Sequence, residues 1–388
     1  MNVLIIADEL FATRERSLLT RLEVGLADEG HGVAHAVPKS VIEKTAGSSA
    51  ELSGVFSKVI SYVPSSLSFT RRFVVRQMIE SLANLPGDFE RIDVVHVFGG
   101  ASWALAADVA SALDAPLVVE VWRRGLSVRA RELWSVSRGG AASSTLFLAS
   151  DAQIERELMT SADGASRGQP AVPLPVRCVP WGVLSPVHER LPVAGLGRDR
   201  PANIMIIGSG RHGGSAASPV WSAVLGACAD LVANGFDLML YADDLSAGRA
   251  RIWPVVRSLN LLSRLSLVDE LEGRRDLMLH GDVLLLPEAT DEARSIVLEA
   301  MAAGMLVISA TGPAAPLLED RRSALLVAPL DRSGWAAALE TLFTRHAVAV
   351  GLADAAHLYV QVHRKASDYV RGVVGAYEHA AGRSLRIG

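Results

Sequence analysis

The sequence predicts an α/β protein built from two parallel-sheet domains. Three observations carry this. Strand-like apolar runs alternate with amphipathic helical stretches along the chain, the pattern of repeated βαβ units. The chain has 388 residues, more than the roughly 250–300 residues at which one hydrophobic core usually stops growing. A stretch with clustered Pro and Gly and no periodicity, Leu184 to Pro201, reads as a linker between two such runs. The expected division is 1–183, a linker at 184–200, a second domain at 201–360 and a tail at 361–388.

In chain order, Val3–Ala7 is a buried strand. Arg14–Glu29 is a helix with Leu18, Leu19, Leu22 and Leu26 on one face and Gly30 as its stop. Strands follow at Gly32–Val37 and Val59–Val63, a helix at Arg71–Leu85, a strand at Asp93–Phe98, a helix at Ala101–Leu113 and strands at Leu117–Val121 and Thr145–Ala149. An acidic helix at Ala152–Met159 precedes a Gly/Ser/Pro loop at Asp163–Pro175 and a short strand and turn at Val176–Val183. The second run opens with a strand at Ile204–Ile207 and the loop GSGRHGG, Gly208–Gly214. A helix starts at Pro219 with Ser218 as its cap. Strands at Phe236–Tyr241 and Leu265–Val268 flank a helix at Arg251–Ser258. The chain ends in a helix from Ser333 or Trp335 to Arg345 and one long helical tail, about Leu352 to Ala381.

The stretch Asp282 to Pro329 carries the chemistry. Strand Val283–Leu286 runs into an acidic loop, Glu288–Glu292, then a short helix ending on Ala302-Ala303-Gly304, then strand Leu306–Ser309. A helix N-terminus offers unpaired N–H groups and a partial positive charge suited to an anion, and neighbouring carboxylates accept hydrogen bonds from hydroxyl groups. By the residues alone, Asp291 and Glu292 equally suit a helix cap, and Glu299 equally suits a solvated helix position.

This unit resembles the donor-sugar segment of the large retaining glycosyltransferase group 1 family, written E-G-F-G-x-x-x-x-E-A-M-A-x-G-x-P-V. Glu299-Ala300-Met301-Ala302, Gly304 and Val307 match; the first half reads Asp291-Glu292-Ala293-Arg294, and Leu306 replaces the proline. Weaker echoes lie at Asp93–Gly100, Val179–Val183 and Gly208–Arg211. The resemblance implies a GT-B fold: two Rossmann-like domains facing a cleft, with the C-terminal helix crossing back to the first. It implies transfer of a hexosyl-type sugar from a nucleotide-diphosphate donor to a hydroxyl acceptor, with retention and without a metal or other cofactor. Asp291 and Glu299 take the catalytic positions, with Glu299 on the ribose diol. Gly210, Arg211, Arg294, Ser295, Ile296 and Val268 join Glu299 in holding the donor. Arg14, Trp122 and Arg123 stand on the acceptor side, in the first domain.

The departures are as informative. The family's phosphate-binding lysine position is Ala216, and no lysine occurs between Lys58 and Lys365. Arg294, in place of a glycine at the helix head, is a candidate replacement cation. Trp122 occupies the position of a first-domain histidine and offers a flat apolar wall. Trp181 stands where asparagine is usual. His96 matches one family histidine, and its place in a buried strand suits a core histidine. These losses keep open a catalytically degenerate binding subunit, and a nucleotide-sugar epimerase is a further alternative.

Net charge is −4, which gives no basic footprint for nucleic acid. Two cysteines, Cys178 and Cys228, suggest neither a disulfide framework nor a zinc site. No targeting segment or apolar run of membrane length is seen, so a soluble cytoplasmic protein is expected. Phe69–Leu82, with Arg71, Arg72 and Arg76, suits a peripheral membrane contact, but a plain core helix is the favoured reading.

Overall fold

The computed structural model describes residues 1–45, 56–86, 89, 91–137, 144–160, 173–185, 196–209, 216–271, 277, 280–288, 291–312 and 317–384. The chain forms two compact units, Met1–Gly182 with Ala366–Gly388, and Val183–Lys365.

In the first unit seven strands, β1 (Asn2–Ala7), β2 (Gly32–Pro38), β3 (Val59–Tyr62), β4 (Val94–Phe98), β5 (Leu117–Val121), β6 (Thr145–Ala149) and β7 (Val176–Cys178), form a parallel sheet in the order β3-β2-β1-β4-β5-β6-β7. β1, β4, β5 and β6 are almost wholly buried, as expected of parallel strands covered by helices on both faces. The C-terminal helix Ala366–Ser384 belongs to this unit and buries Tyr369, Val373 and Tyr377 in it. A Cβ on Gly372 would lie 2.8 Å from Val179 Cγ1, so glycine lets the helix approach.

The second unit carries β8 (Ala202–Ile206), β9 (Leu238–Asp243), β10 (Leu265–Val268), β11 (Val283–Leu286), β12 (Leu306–Ala310) and β13 (Leu325–Val327), again all parallel, in the order β10-β9-β8-β11-β12-β13. Its core gathers Ile204, Trp221, Leu240, Leu285, Ile308 and Trp335. In each sheet the strand order reverses beside the first strand, between β1 and β4 and between β8 and β11. Such reversals open the crevice where open α/β sheets bind ligands, at the C-terminal ends of the strands.

Several expected elements differ. Between the first strand and the expected start at Arg14 there is already a helix, Glu9–Arg14, because Asp8 caps it by accepting the Phe11 amide at 3.0 Å; the next helix starts separately at Arg16. Helices at Lys39–Thr45, Ser127–Ser137 and Asp244–Arg249 and strand β13 were not expected. Asp243 is the cap of the Asp244 helix, accepting the Ser246 amide at 2.9 Å. The long tail is two helices, His346–His363 and Ala366–Ser384. No Pro or Gly breaks it there. Instead the Arg364 carbonyl leaves the helix and accepts the Val183 amide at 2.8 Å, next to a Val183–Lys365 bridge. The helix Ser68–Ala83 buries Val74, Val75, Met78 and Leu82 and leaves Phe69 and Phe73 exposed. Among the described residues no helix is long and apolar enough to cross a membrane.

Candidate functional site

The crevice between β8 and β11 is built by the connections that leave those two strands. After β11 the chain passes Pro287 and Glu288, then Asp291 to Arg294, and enters the helix Ser295–Ala302. All eight residues of that helix are buried, which fits an all-round apolar sequence with a single charge. It stops in a Schellman motif. Gly304 adopts φ 75°, its amide bonds the Met301 carbonyl, and the Met305 amide reaches back to Ala300 at 2.9 Å. This is why Gly304 ends the helix and β12 follows directly.

The buried helix excludes one alternative. Glu299 is only 4% exposed, so it is not a solvated helix residue. Arg294 is equally buried. Arg294 is the residue before the helix, and its Nη1 donates to the Gly208 carbonyl at 3.1 Å. Its guanidinium therefore lies against the turn that leaves β8. Ser295 and Ile296 form the first turn of the helix and are buried, and Asp291 is half-buried. Asp291, Arg294, Ser295, Ile296 and Glu299 thus lie on one connection at one end of the sheet. Val268 ends β10, three strand spacings from β11, roughly 14 Å at the usual inter-strand distance. Gly210 and Arg211 lie outside the described residues. Ala216, at the lysine position, is exposed.

Residues not singled out from sequence complete this crevice. The Glu288 Oε2 accepts the Ser209 amide at 2.7 Å and the Ser209 hydroxyl, and Oε1 accepts the Trp221 indole N–H at 3.0 Å. The Ser246 hydroxyl accepts the Gly208 amide at 3.3 Å. A Cβ on Gly208 would lie 2.9 Å from Trp221 Cζ2, so only glycine fits this approach. Glu288 was visible in the sequence as the head of the acidic loop, but nothing local signalled its partners just after β8 and on the Pro219–Ala233 helix. Among the described residues no group of three His, Cys, Asp or Glu side chains is placed to hold a metal.

In the first unit Arg14, Trp122 and Arg123 do come together. Their guanidinium carbons lie 5.4 Å (Arg14) and 5.7 Å (Arg123) from the Trp122 ring centre, and Phe11 meets the ring edge-on at 5.2 Å. Trp122 is 3% exposed, so it offers no open wall; it is the packed base under two arginines. Arg124 is turned to Glu157 at 2.8 Å. The crevice between β1 and β4 is spanned by Asp8, whose Oδ1 takes the Phe11 amide and Oδ2 the Ala101 amide at 3.1 Å. Burial raises the Asp8 carboxyl above the usual range, partly offset by these bonds and by Arg14. Gly99, at φ 88°, leaves room for it.

Below this lies a buried polar network. Trp181 donates its indole N–H to Glu120 at 2.5 Å, His96 Nε2 lies 3.4 Å from the other Glu120 oxygen, and His96 Nδ1 is 2.7 Å from the Tyr377 hydroxyl of the C-terminal helix. All four are fully or almost fully buried. Burial lowers the His96 pKa, against the pull of Glu120. His96 is therefore a core histidine. Trp181 is explained as the donor to one oxygen of the buried Glu120.

The family model described as Glycosyl transferases group 1 matches residues 224–345. No curated protein sequence matches this one. Solved structures match along nearly the whole chain. Sucrose-phosphate synthase from Thermosynechococcus elongatus has a TM-score of 0.69 at 15% identity, covering 99% of this chain and 100% of its own. HepE of Anabaena, solved with UDP-glucose, has a TM-score of 0.69 at 11% identity, covering 98% and 100%. A glycosyltransferase from Rickettsia africae has 0.61 at 13%, covering 98% of each chain. At these identities the likeness shows the fold, and it is the two-sheet α/β fold of GT-B glycosyltransferases.

Proposed function

We propose that this protein transfers a sugar from a nucleotide-diphosphate donor to a hydroxyl acceptor, with retention at the sugar carbon. The observation that carries this is the buried helix head at the β8–β11 crevice, with Glu299, Arg294 and Ser295 in the segment that matches the glycosyltransferase model. In this reading Glu299 accepts the ribose hydroxyls. The Ser295 and Ile296 amides and the dipole of their helix face the diphosphate, and Arg294 contributes the cation that Ala216 does not. Gly210 and Arg211 complete the phosphate side, and Val268 borders the base. Asp291 stands by the donor sugar, where stabilising the departing diphosphate is the main catalytic task. Arg14 and Arg123, set on Trp122, meet the acceptor. HepE and UDP-glucose make a uridine donor a reasonable first probe.

A second reading is a binding subunit without turnover. It is favoured by Ala216 at the lysine position and by the packed Trp122 where the family carries a histidine. A thermal-shift panel of UDP-, GDP- and ADP-sugars separates these readings from no nucleotide function at all: a shift with one base is expected. Release of the free diphosphate on adding acceptor then marks an enzyme, and binding without release marks the subunit. A flat panel would falsify both.

A further inference from the structure

Glu288 has no part in the reading above, yet it holds the root of the turn after β8. One oxygen takes the Ser209 N–H and O–H, and the other takes the Trp221 indole N–H. From the same connection Arg294 donates to the Gly208 carbonyl. The Gly208–Ser209 peptide is thus gripped by an anion on its N–H and a cation on its C=O. Trp221 is 1% exposed, and Gly208 lies against it, so the grip is anchored in the core.

Backbone N–H groups where a strand enters a glycine-rich turn are the donors that collect phosphate oxygens. Here one of them already carries the protein's own carboxylate. Glu288 is half-buried, not sealed in, so its charge acts on whatever enters the crevice. At the end of a parallel strand beside a helix N-terminus, a carboxylate opposes an incoming anion in proportion to that anion's charge. A free nucleoside diphosphate ends in a terminal phosphate, which near neutral pH carries most of a second negative charge. In the sugar ester that charge is absent.

We propose that Glu288 is a specificity-determining residue of the donor crevice: an internal anion on the Gly208–Ser209 peptide that selects the nucleotide-sugar over the free nucleoside diphosphate. This rests on the donor-binding reading. Its consequence is that the product is held less tightly than the donor, which favours its release.

Calorimetric binding of uridine, UMP, UDP and UDP-glucose to the wild-type chain, Glu288→Gln and Glu288→Asp tests this, with GDP and ADP run alongside. Removing the charge in Glu288→Gln is expected to tighten UDP roughly three- to thirty-fold, UDP-glucose by less and uridine not at all. Glu288→Asp keeps the charge and is expected to stay near wild type. The gain should shrink at high salt. Equal shifts for uridine and UDP would mean that Glu288 only shapes the turn, and an unchanged or weaker UDP affinity would equally overturn the idea while leaving donor binding intact. No nucleotide binding in wild type or variant overturns both readings, and binding by Glu288→Gln with no UDP-glucose binding by the wild type overturns this one. The wild type gives a check that needs no variant. Going from about pH 7.5 to about pH 5.5 protonates the terminal phosphate and should improve UDP relative to UDP-glucose. A constant ratio overturns the proposal.

Discussion

The two sheets reverse strand order in the same place, and a carboxylate spans each crevice, but the two crevices are finished differently. Between β1 and β4, Asp8 is 8% exposed, bonded to two backbone amides, with Phe11, Phe98, Trp122 and Trp181 packed together nearby. Between β8 and β11, Glu288 is half-buried and is met by a hydroxyl, an amide and an indole N–H, with a buried arginine beside it. One architecture has been used once as a packed joint and once as a polar cradle. The two units also differ in their histidines. The first unit buries two histidine–carboxylate pairs, His35 with Glu23 at 3.1 Å and His96 with Glu120. The second ties Arg264 to Asp237 and Arg332 to Asp230 nearer the surface.

The largest expected effect is on the packed joint. Trp181→Phe removes the indole N–H from Glu120 and leaves a buried carboxylate short of a donor, at a cost of about 2–4 kcal/mol. Hydrogen exchange should show the loss in the first unit, with nucleotide affinity kept. A loss smaller than about 1 kcal/mol would mean that Glu120 is satisfied by other means.

Next is the cradle. Glu299→Gln should weaken nucleotide-sugar binding by roughly 1.5–3 kcal/mol, the worth of a hydrogen bond to a charged group. Because Glu299 is buried, the melting temperature will also move, so the decisive measurement is affinity in a variant shown to be folded. Unchanged affinity would remove Glu299 from the donor site.

These two sites differ in how far the sequence reveals them. LEAMAAG is local: a short apolar helix with one glutamate, and a glycine whose positive φ makes the stop. Its pattern alone gave helix, stop and following strand. The parallel strands were legible for the same reason, as short apolar runs at regular spacing. What stayed hidden depends on distant partners. The break at Arg364 needs Val183, the role of Trp181 needs Glu120, and Glu288 needs Ser209 and Trp221. No window of ten residues contains those pairs. The short helix after Asp8 was missed although its cap and acidic first turn are local, because it spans only Glu9–Arg14 and shows little periodicity.

Mild acid should separate the units. Burial lowers the pKa of both His35 and His96 below the usual histidine value, so folding holds them neutral. For groups depressed in the fold, the unfolded chain binds protons first. Their contribution is present above about pH 6.5 and declines as pH falls through that value. The first unit is expected to lose about 1–2 kcal/mol between about pH 7.5 and about pH 6. The second unit should hold steady over the same window. Equal loss in both would erase the contrast.

The smallest effect belongs to the ion pair of Arg332 and Asp230, 2.5 Å apart and each close to half exposed. The Arg332 guanidinium holds the Asp230 carboxyl below its usual range, so what the pair contributes is present at neutral pH and is lost only below about pH 4. It therefore outlasts the window in which the histidines act. Solvent and salt screen such a pair, and Arg332→Gln should cost less than about 1 kcal/mol, falling further at high salt. Arg332 also lies over Gly226, where a Cβ would stand 2.8 Å from its Nε, so Arg332→Ala removes packing as well as charge. Urea titration of both variants at low and high salt separates the two parts. The Gln variant reports the charge, and the further loss in Ala reports the cover over Gly226. A salt-independent loss above about 2 kcal/mol in the Gln variant would show that the pair is held as tightly as the buried pairs of the first unit, and the division between packed joint and polar cradle would then not extend to the charges.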